Sequence, residues 1–191
     1  MKRLCIHHHL GLGDHFVCNG LVHKVASAWD KIYLPTKRRN FKTISSLYAD
    51  FENIEVFVVD EEYSDVANFC NNHQVPLLRV GFEHCAPVRA NESFYHQLNI
   101  NYEERYTGFR VPTQIAGASE LYDRLVPSEP YVIVHQESSV GSFNLPLQTP
   151  HEIVEIKSGV TENLLEYVKI IENAAEIHCI DSSVFNLIEG M

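Results

Sequence analysis

Short, almost continuous apolar runs alternate along this chain with longer stretches in which apolar residues recur at helical spacing. The runs cover residues 4–8, 31–34, 54–59, 77–82, 131–135, 152–156 and 177–180. Between them, helical periodicity covers 14–29, 41–49, 61–73 and 162–175. In the first of these Val17, Leu21, Val25 and Ala28 share one face, and in the last Leu164, Val168, Ile171 and Ala175 do. Strands apolar on both faces, joined through amphipathic helices, predict an α/β fold with parallel sheets covered on both sides.

The alternation lapses between about residues 83 and 126, then restarts. Pro127 and Pro130 sit at the restart, and both oppose helix continuation. The expected organisation is a larger lobe over residues 1–126 and an abbreviated second lobe over 127–191. No internal repeat or low-complexity tract interrupts either.

Fifteen basic against 25 acidic residues give a formal charge of −10. That balance argues against nucleic acid or an anionic membrane surface as a partner. Any anion site must be local, built from helix ends, hydroxyls, histidines or a few arginines. Lys37-Arg38-Arg39 is the one dense basic cluster, and a solvated face is its expected role. No stretch reads as a signal peptide, and none reaches the roughly 20 apolar residues of a membrane span. The five cysteines (Cys5, Cys18, Cys70, Cys85, Cys179) are odd in number and contain no Cys-x-x-Cys. A reduced, cytoplasmic protein without a transmembrane segment is expected.

Two constellations carry candidate chemistry. The first is the run from Arg3 to His9, which breaks at Leu10-Gly-Leu-Gly-Asp-His15 and reopens as a helix. A strand, a glycine turn and a helix N-terminus place free N–H groups and a positive dipole end at one spot. Gly11 and Gly13 permit a tight turn and close approach of a ligand. The dinucleotide fingerprint is only half met, because Phe16 replaces its third glycine and the ribose-binding acid is missing. The second constellation combines the polar loop His135-Gln-Glu-Ser-Ser-Val-Gly-Ser142 with Asp181-Ser-Ser183, each at the end of an apolar run. Open α/β sheets bind ligands outside the carboxyl ends of their strands. A hydroxyl pair at a helix start offers donors and dipole to a diphosphate.

The Gly-Leu-Gly-Asp-His turn, the Phe94-Tyr-His-Gln and Arg105-Tyr-Thr-Gly-Phe-Arg110 segments, the Val-His-Gln-Glu-Ser-Ser loop and the Ile-His-Cys-Ile-Asp-Ser-Ser ending together resemble bacterial GT-B glycosyltransferases. The similarity is to the heptosyltransferase-related group that works on cell-envelope polysaccharide. It implies two Rossmann-like lobes facing a cleft, the second holding a nucleotide-sugar and the glycine turn facing the reacting sugar and acceptor. It also implies a metal-independent reaction with no cofactor besides the nucleotide-sugar substrate. Val140 stands where many relatives carry an arginine, and a typical second lobe continues with further strands and a helix crossing back. A short, truncated or degenerate member is therefore expected.

Under that resemblance Asp14 takes the proton of the acceptor hydroxyl, and His15, whose ordinary pKa suits the task better, is the second candidate. A helix dipole should favour ionised Asp14 and so weaken it as a base. An ordinary helix-start acid is its competing role. Gly11, Gly13, His135, Ser138, Ser139, Gly141, Asp181, Ser182 and Ser183 are expected to bind substrate. Arg105 and Arg110 are expected to reach sugar or phosphate, or to pair with Glu103, Glu104 or Glu120. The histidines crowding the N-terminus form no metal set, because His7 and His9 share one strand face while His8 points to the other.

Two alternatives stand beside glycosyl transfer. One is a non-catalytic nucleotide- or partner-binding module of the same fold. The other is a nucleotide-sugar epimerase-like or phosphotransferase site using the same turn. A homodimer is also expected, with Val184, Phe185, Leu187 and Ile188 of the last helix buried against a second copy.

Overall fold

The computed structural model describes residues 1–83 and 90–191. Cys85 lies outside the described residues. Two parallel sheets organise the chain. The first contains β1 (Arg3–His7), β2 (Lys31–Lys37), β3 (Ile54–Val59) and β4 (Leu77–Arg79), in the spatial order β3-β2-β1-β4. The second contains β5 (Tyr131–His135), β8 (Glu152–Glu155) and β9 (Glu176–Cys179), in the order β8-β5-β9. A small hairpin, β6 (Glu137–Ser138) and β7 (Gly141–Ser142), stands between β5 and β8 in the chain. These are Rossmann-like α/β lobes, the second abbreviated.

Side-chain alternation along β1 divides the packing of the first sheet. Leu4 and Ile6 join a large core that continues through Phe16, Leu21 and Leu34 to Tyr131 and Ile133 of the second sheet and Leu165 beside it. Cys5 faces the other way, into a smaller cluster with Val66 and Cys70 of α4 (Glu62–His73). Central strand β5 is buried at all five positions. β2 contains Pro35, which contributes no N–H. The Ile32 N–H points to Asn53 on the β3 side, so Pro35, an odd number of residues away, turns its nitrogen towards β1. The β1–β2 pairing accordingly ends at Cys5–Tyr33, because the next donor on that side would be Pro35.

The first helical stretch, continuous by periodicity, is broken into α1 (Leu12–Val17) and α2 (Asn19–Ala26). The Tyr95 hydroxyl donates to the Val17 carbonyl at 2.6 Å and occupies the acceptor that the helix would use next. Gly20 lies so close to the Glu104 carbonyl of α6 (Glu104–Thr107) that any Cβ there would collide with it. The stretch at 162–175 is likewise a 3-10 turn, Leu164–Tyr167, followed by α8 (Val168–Asn173). Its cap is Asn163, whose side chain accepts the Leu165 N–H at 3.1 Å. β4 ends at Arg79, because Gly81 turns the chain with φ +86°.

Two helices cross between the lobes. α7 (Ala118–Leu125) precedes the proline hinge, yet packs on the second sheet's helices, with Lys169 over the Tyr122 ring. α9 (Ser183–Gly190) follows the last strand, yet packs on α1 and α6 of the first lobe. Val184 and Leu187 are buried there, and Ile188 packs on the same core. Three of the four side chains expected to be open for a second copy, Val184, Leu187 and Ile188, are thus held within the chain's own core, and Phe185 stays partly exposed. No helix among the described residues is long and apolar enough to cross a membrane.

Candidate functional site

In each sheet the chain leaves one strand towards one neighbour and later returns to its other side. β1 lies between β2 and β4, and β5 lies between β8 and β9. Each is therefore the switch strand whose carboxyl end opens a crevice. Both crevices meet in a single cavity of about 1150 Å³.

The first-lobe wall begins at Gly11, the N-cap of α1, with Asp14 at the third helical position. The Asp14 carboxylate turns back to accept from the Gly11 backbone N–H, as in a capping box. It lies so close that a Cβ on Gly11 would collide with it. The space behind Gly11 is thus what requires glycine, since its φ is an ordinary −65°. Burial pushes the Asp14 carboxyl above its usual range, and the opposing pull of His9, the Gly11 N–H and Lys37 does not cancel it. The expected dominance of the helix dipole is reversed, and the change makes Asp14 a stronger base.

His15 does not share this wall. It is fully buried, with Nε2 3.1 Å from the Thr36 hydroxyl, and its ring packs edge-on against His8 at 4.5 Å. Burial holds His15 well below the ordinary histidine range and His8 down to about 4. Both are neutral supports beneath the turn, and the proposed proton-carrying role of His15 is withdrawn for lack of access. Among the described residues, no group of three His, Cys, Asp or Glu is placed to hold a metal.

The second-lobe wall comes from three strand ends. After β5, His135 donates from Nδ1 to the Ile156 carbonyl at 2.9 Å, which fixes its ring, and Ser138 and Ser139 follow it onto the wall. After β8 come Lys157 and Ser158, whose N–H donates to Glu137 at 2.8 Å. After β9, Asp181, Ser182 and Ser183 lead into α9, where Ser182 caps the helix by accepting the Phe185 N–H at 3.3 Å. α9 has eight residues, and its N-terminal end opens on the cavity.

Three site expectations are displaced. Arg105 is 4% exposed and lies away from the cavity. It pairs with Glu189 of α9, a partner no local spacing suggested. Arg110 is exposed and donates to the Thr107 and Phe109 carbonyls at 2.8 and 2.7 Å, closing the end of α6. Gly141 opens β7 with φ +142°, its carbonyl accepting from the Ser138 hydroxyl at 3.3 Å, off the cavity wall. Conversely, the sequence reading missed Arg39, Lys42, Ser158 and Asn186, which line the cavity. The same strand-end rule applied to the basic cluster after β2 would have found Arg39, whereas Lys42 lies further on, in the helix Phe41–Leu47. Arg38 pairs with Asp60 at 2.9 Å, and Lys42 with Glu162 of the second lobe. Arg39 has no ion-pair partner among the described residues.

Compared with known proteins, the chain matches no family model, no curated protein and no solved structure.

Proposed function

We propose that this cavity binds a nucleotide-sugar and transfers its glycosyl group to a hydroxyl acceptor. The observation that carries the reading is the meeting of two switch points across one cavity, with a half-buried carboxylate on one wall and a hydroxyl-lined helix N-terminus on the other. The diphosphate is assigned to the second wall, where Ser182, Ser183, the start of α9 and the His135–Ser139 loop offer donors to its oxygens. The acceptor is assigned to the first wall. Its hydroxyl oxygen attacks the anomeric carbon and its proton passes to Asp14. The bond from that carbon to the diphosphate oxygen breaks, and the electron pair leaves with the nucleoside diphosphate. Raised basicity at Asp14 suits the proton transfer, because a base is most effective with a pKa near the working pH.

Product analysis by mass spectrometry tests the reading against its rivals. Protein incubated with UDP-, GDP-, ADP- and CMP-sugars and a mixed set of sugar acceptors should yield free nucleotide together with a glycosylated acceptor. Free nucleotide that forms equally without acceptor indicates hydrolysis. An isomerised donor points to an epimerase-like site, and binding without turnover to a non-catalytic module.

A further inference from the structure

One charged side chain is withdrawn from solvent at the lobe boundary for a reason that the cavity supplies. Arg105 does not line the cavity, yet its Nη2 donates to Asn186 Oδ1 at 2.9 Å and also to Glu189. Its Nη1 donates to the Tyr102 hydroxyl, and the guanidinium lies 5.4 Å from the Tyr106 ring centre. Desolvating a guanidinium is costly, and it persists where several partners hold it in one geometry.

Asn186 carries the effect to the site. With its oxygen committed to Arg105, its Nδ2 donates to the Ser182 carbonyl at 2.9 Å. Only this orientation of the amide satisfies both a cation and a carbonyl. Ser182 in turn caps the Phe185 N–H, so the chain from Arg105 ends at the first turn of α9, on the cavity wall. Asn186 also faces the opposite wall. A Cβ on Gly13 would come within 3.0 Å of its Nδ2 and 3.7 Å of the Ser183 Cα, so the glycine turn packs on the start of α9 with this amide as its nearest polar group.

We propose that Arg105 and Asn186 are positioning residues that lock the N-terminal turn of α9 against the glycine turn, setting the spacing of the two cavity walls. Glu189, about one-third exposed, balances the Arg105 charge but sits near the far end of α9 and does not reach Ser182. The two kinds of contact are thereby separable.

Amide hydrogen exchange by NMR on Arg105→Met, Asn186→Ala and Glu189→Gln tests this without any ligand. Loss of one hydrogen bond to a charged group should speed exchange at Phe185 and Asn186 roughly tenfold in Arg105→Met. Asn186→Ala should show the same local pattern, and Glu189→Gln should change those amides by less than about twofold. If Arg105→Met does not fold, Asn186→Ala carries the test with the same expectation. Exchange that rises evenly along α9, or equally in Glu189→Gln, would overturn the proposal and leave Arg105 a general structural ion pair.

A second arm rests on the glycosyl-transfer reading. With whichever of UDP, GDP, ADP or CMP most stabilises the unmutated protein, Arg105→Met should weaken binding roughly tenfold, and Glu189→Gln should leave it unchanged. Unchanged affinity in Arg105→Met despite faster exchange would overturn the link to the site. If none of the four nucleotides binds the unmutated protein, the transfer reading fails, and the exchange arm alone decides the positioning role.

Discussion

The two walls of the cavity are built on opposite principles. On the first, the chain turns tightly into α1, the carboxylate of Asp14 is folded back on the Gly11 N–H, and neutral histidines fill the space beneath. On the second, hydroxyls and N–H groups stand at three strand ends, most of them partly or fully open to solvent. Burial perturbs ionisation on the first wall, whereas the second offers many weak donors. One wall is suited to moving a proton at a defined point, the other to gripping a multiply charged, flexible group. In a chain with a net charge of −10, the binding of an anion as proposed would depend on such local donors.

The largest expected effect breaks the first wall chemically and leaves its shape. Asp14→Asn keeps an oxygen for the Gly11 N–H but removes the proposed base. Transfer should fall by about 10²–10⁴-fold while nucleotide affinity stays nearly constant. Steady-state product formation and calorimetric binding measured on the same sample check this. An equal loss of binding and rate would reduce Asp14 to a structural cap.

Acid should weaken the same wall next. Burial lowers the folded-state pKa of His15 and brings that of His8 to about 4, and His23 of α2, away from the wall against Tyr48 and Phe51, behaves in the same way with a value of about 4. The neutral form is therefore favoured by folding. Stability is complete above the ordinary value near 6.5 and declines as the pH falls from there towards about 4, since only the unfolded chain takes up protons in that window. The slope approaches about 1.4 kcal/mol per pH unit for each such histidine. Asp14, with its raised pKa, acts in the opposite sense, but it is a single group. Urea titrations between pH 7 and 4.5 check the sum, and a stability that does not fall would contradict the burial of these rings.

How far the two walls could be read in advance follows from the range of the interactions that form them. Gly11, Asp14, His135, Ser182 and Ser183 were legible because a strand end followed by a helix start is a local pattern. The parallel sheets were legible for the same reason. The role of Arg105 was not, since Glu189 is 84 residues away and meets it only because α9 crosses to the first lobe. The break between α1 and α2 was also hidden, depending on a Tyr95 hydroxyl 78 residues on. Burial of His15 was decided by the packing of His8 and Thr36 around it, which helical periodicity does not report.

Smaller effects should appear on the second wall. Ser182→Ala removes the cap of the Phe185 N–H and should cost about 1 kcal/mol. For a chain of this size that is a fall in Tm of roughly 2–4 °C, read by calorimetry. A matching loss of nucleotide affinity would tie the cap to the ligand. Lys42→Ala should do least to stability. Its pair with Glu162 spans the two lobes but is exposed at both ends, so Tm should hold steady and salt should not matter. A clear drop would mean that this contact, rather than α9, joins the lobes.

If both walls serve one nucleotide-bearing ligand, as proposed, a thermal-shift titration with nucleotides detects it without any acceptor. Binding restricted to the folded state adds about 2.7 kcal/mol at a hundredfold excess over Kd, roughly 5–11 °C here. At millimolar UDP, GDP, ADP or CMP, or the corresponding nucleotide-sugars, at least one compound should raise Tm by that order in the unmutated protein and distinctly less in Ser182→Ala. A flat response to every compound, or a shift that Ser182→Ala leaves intact, would contradict the account.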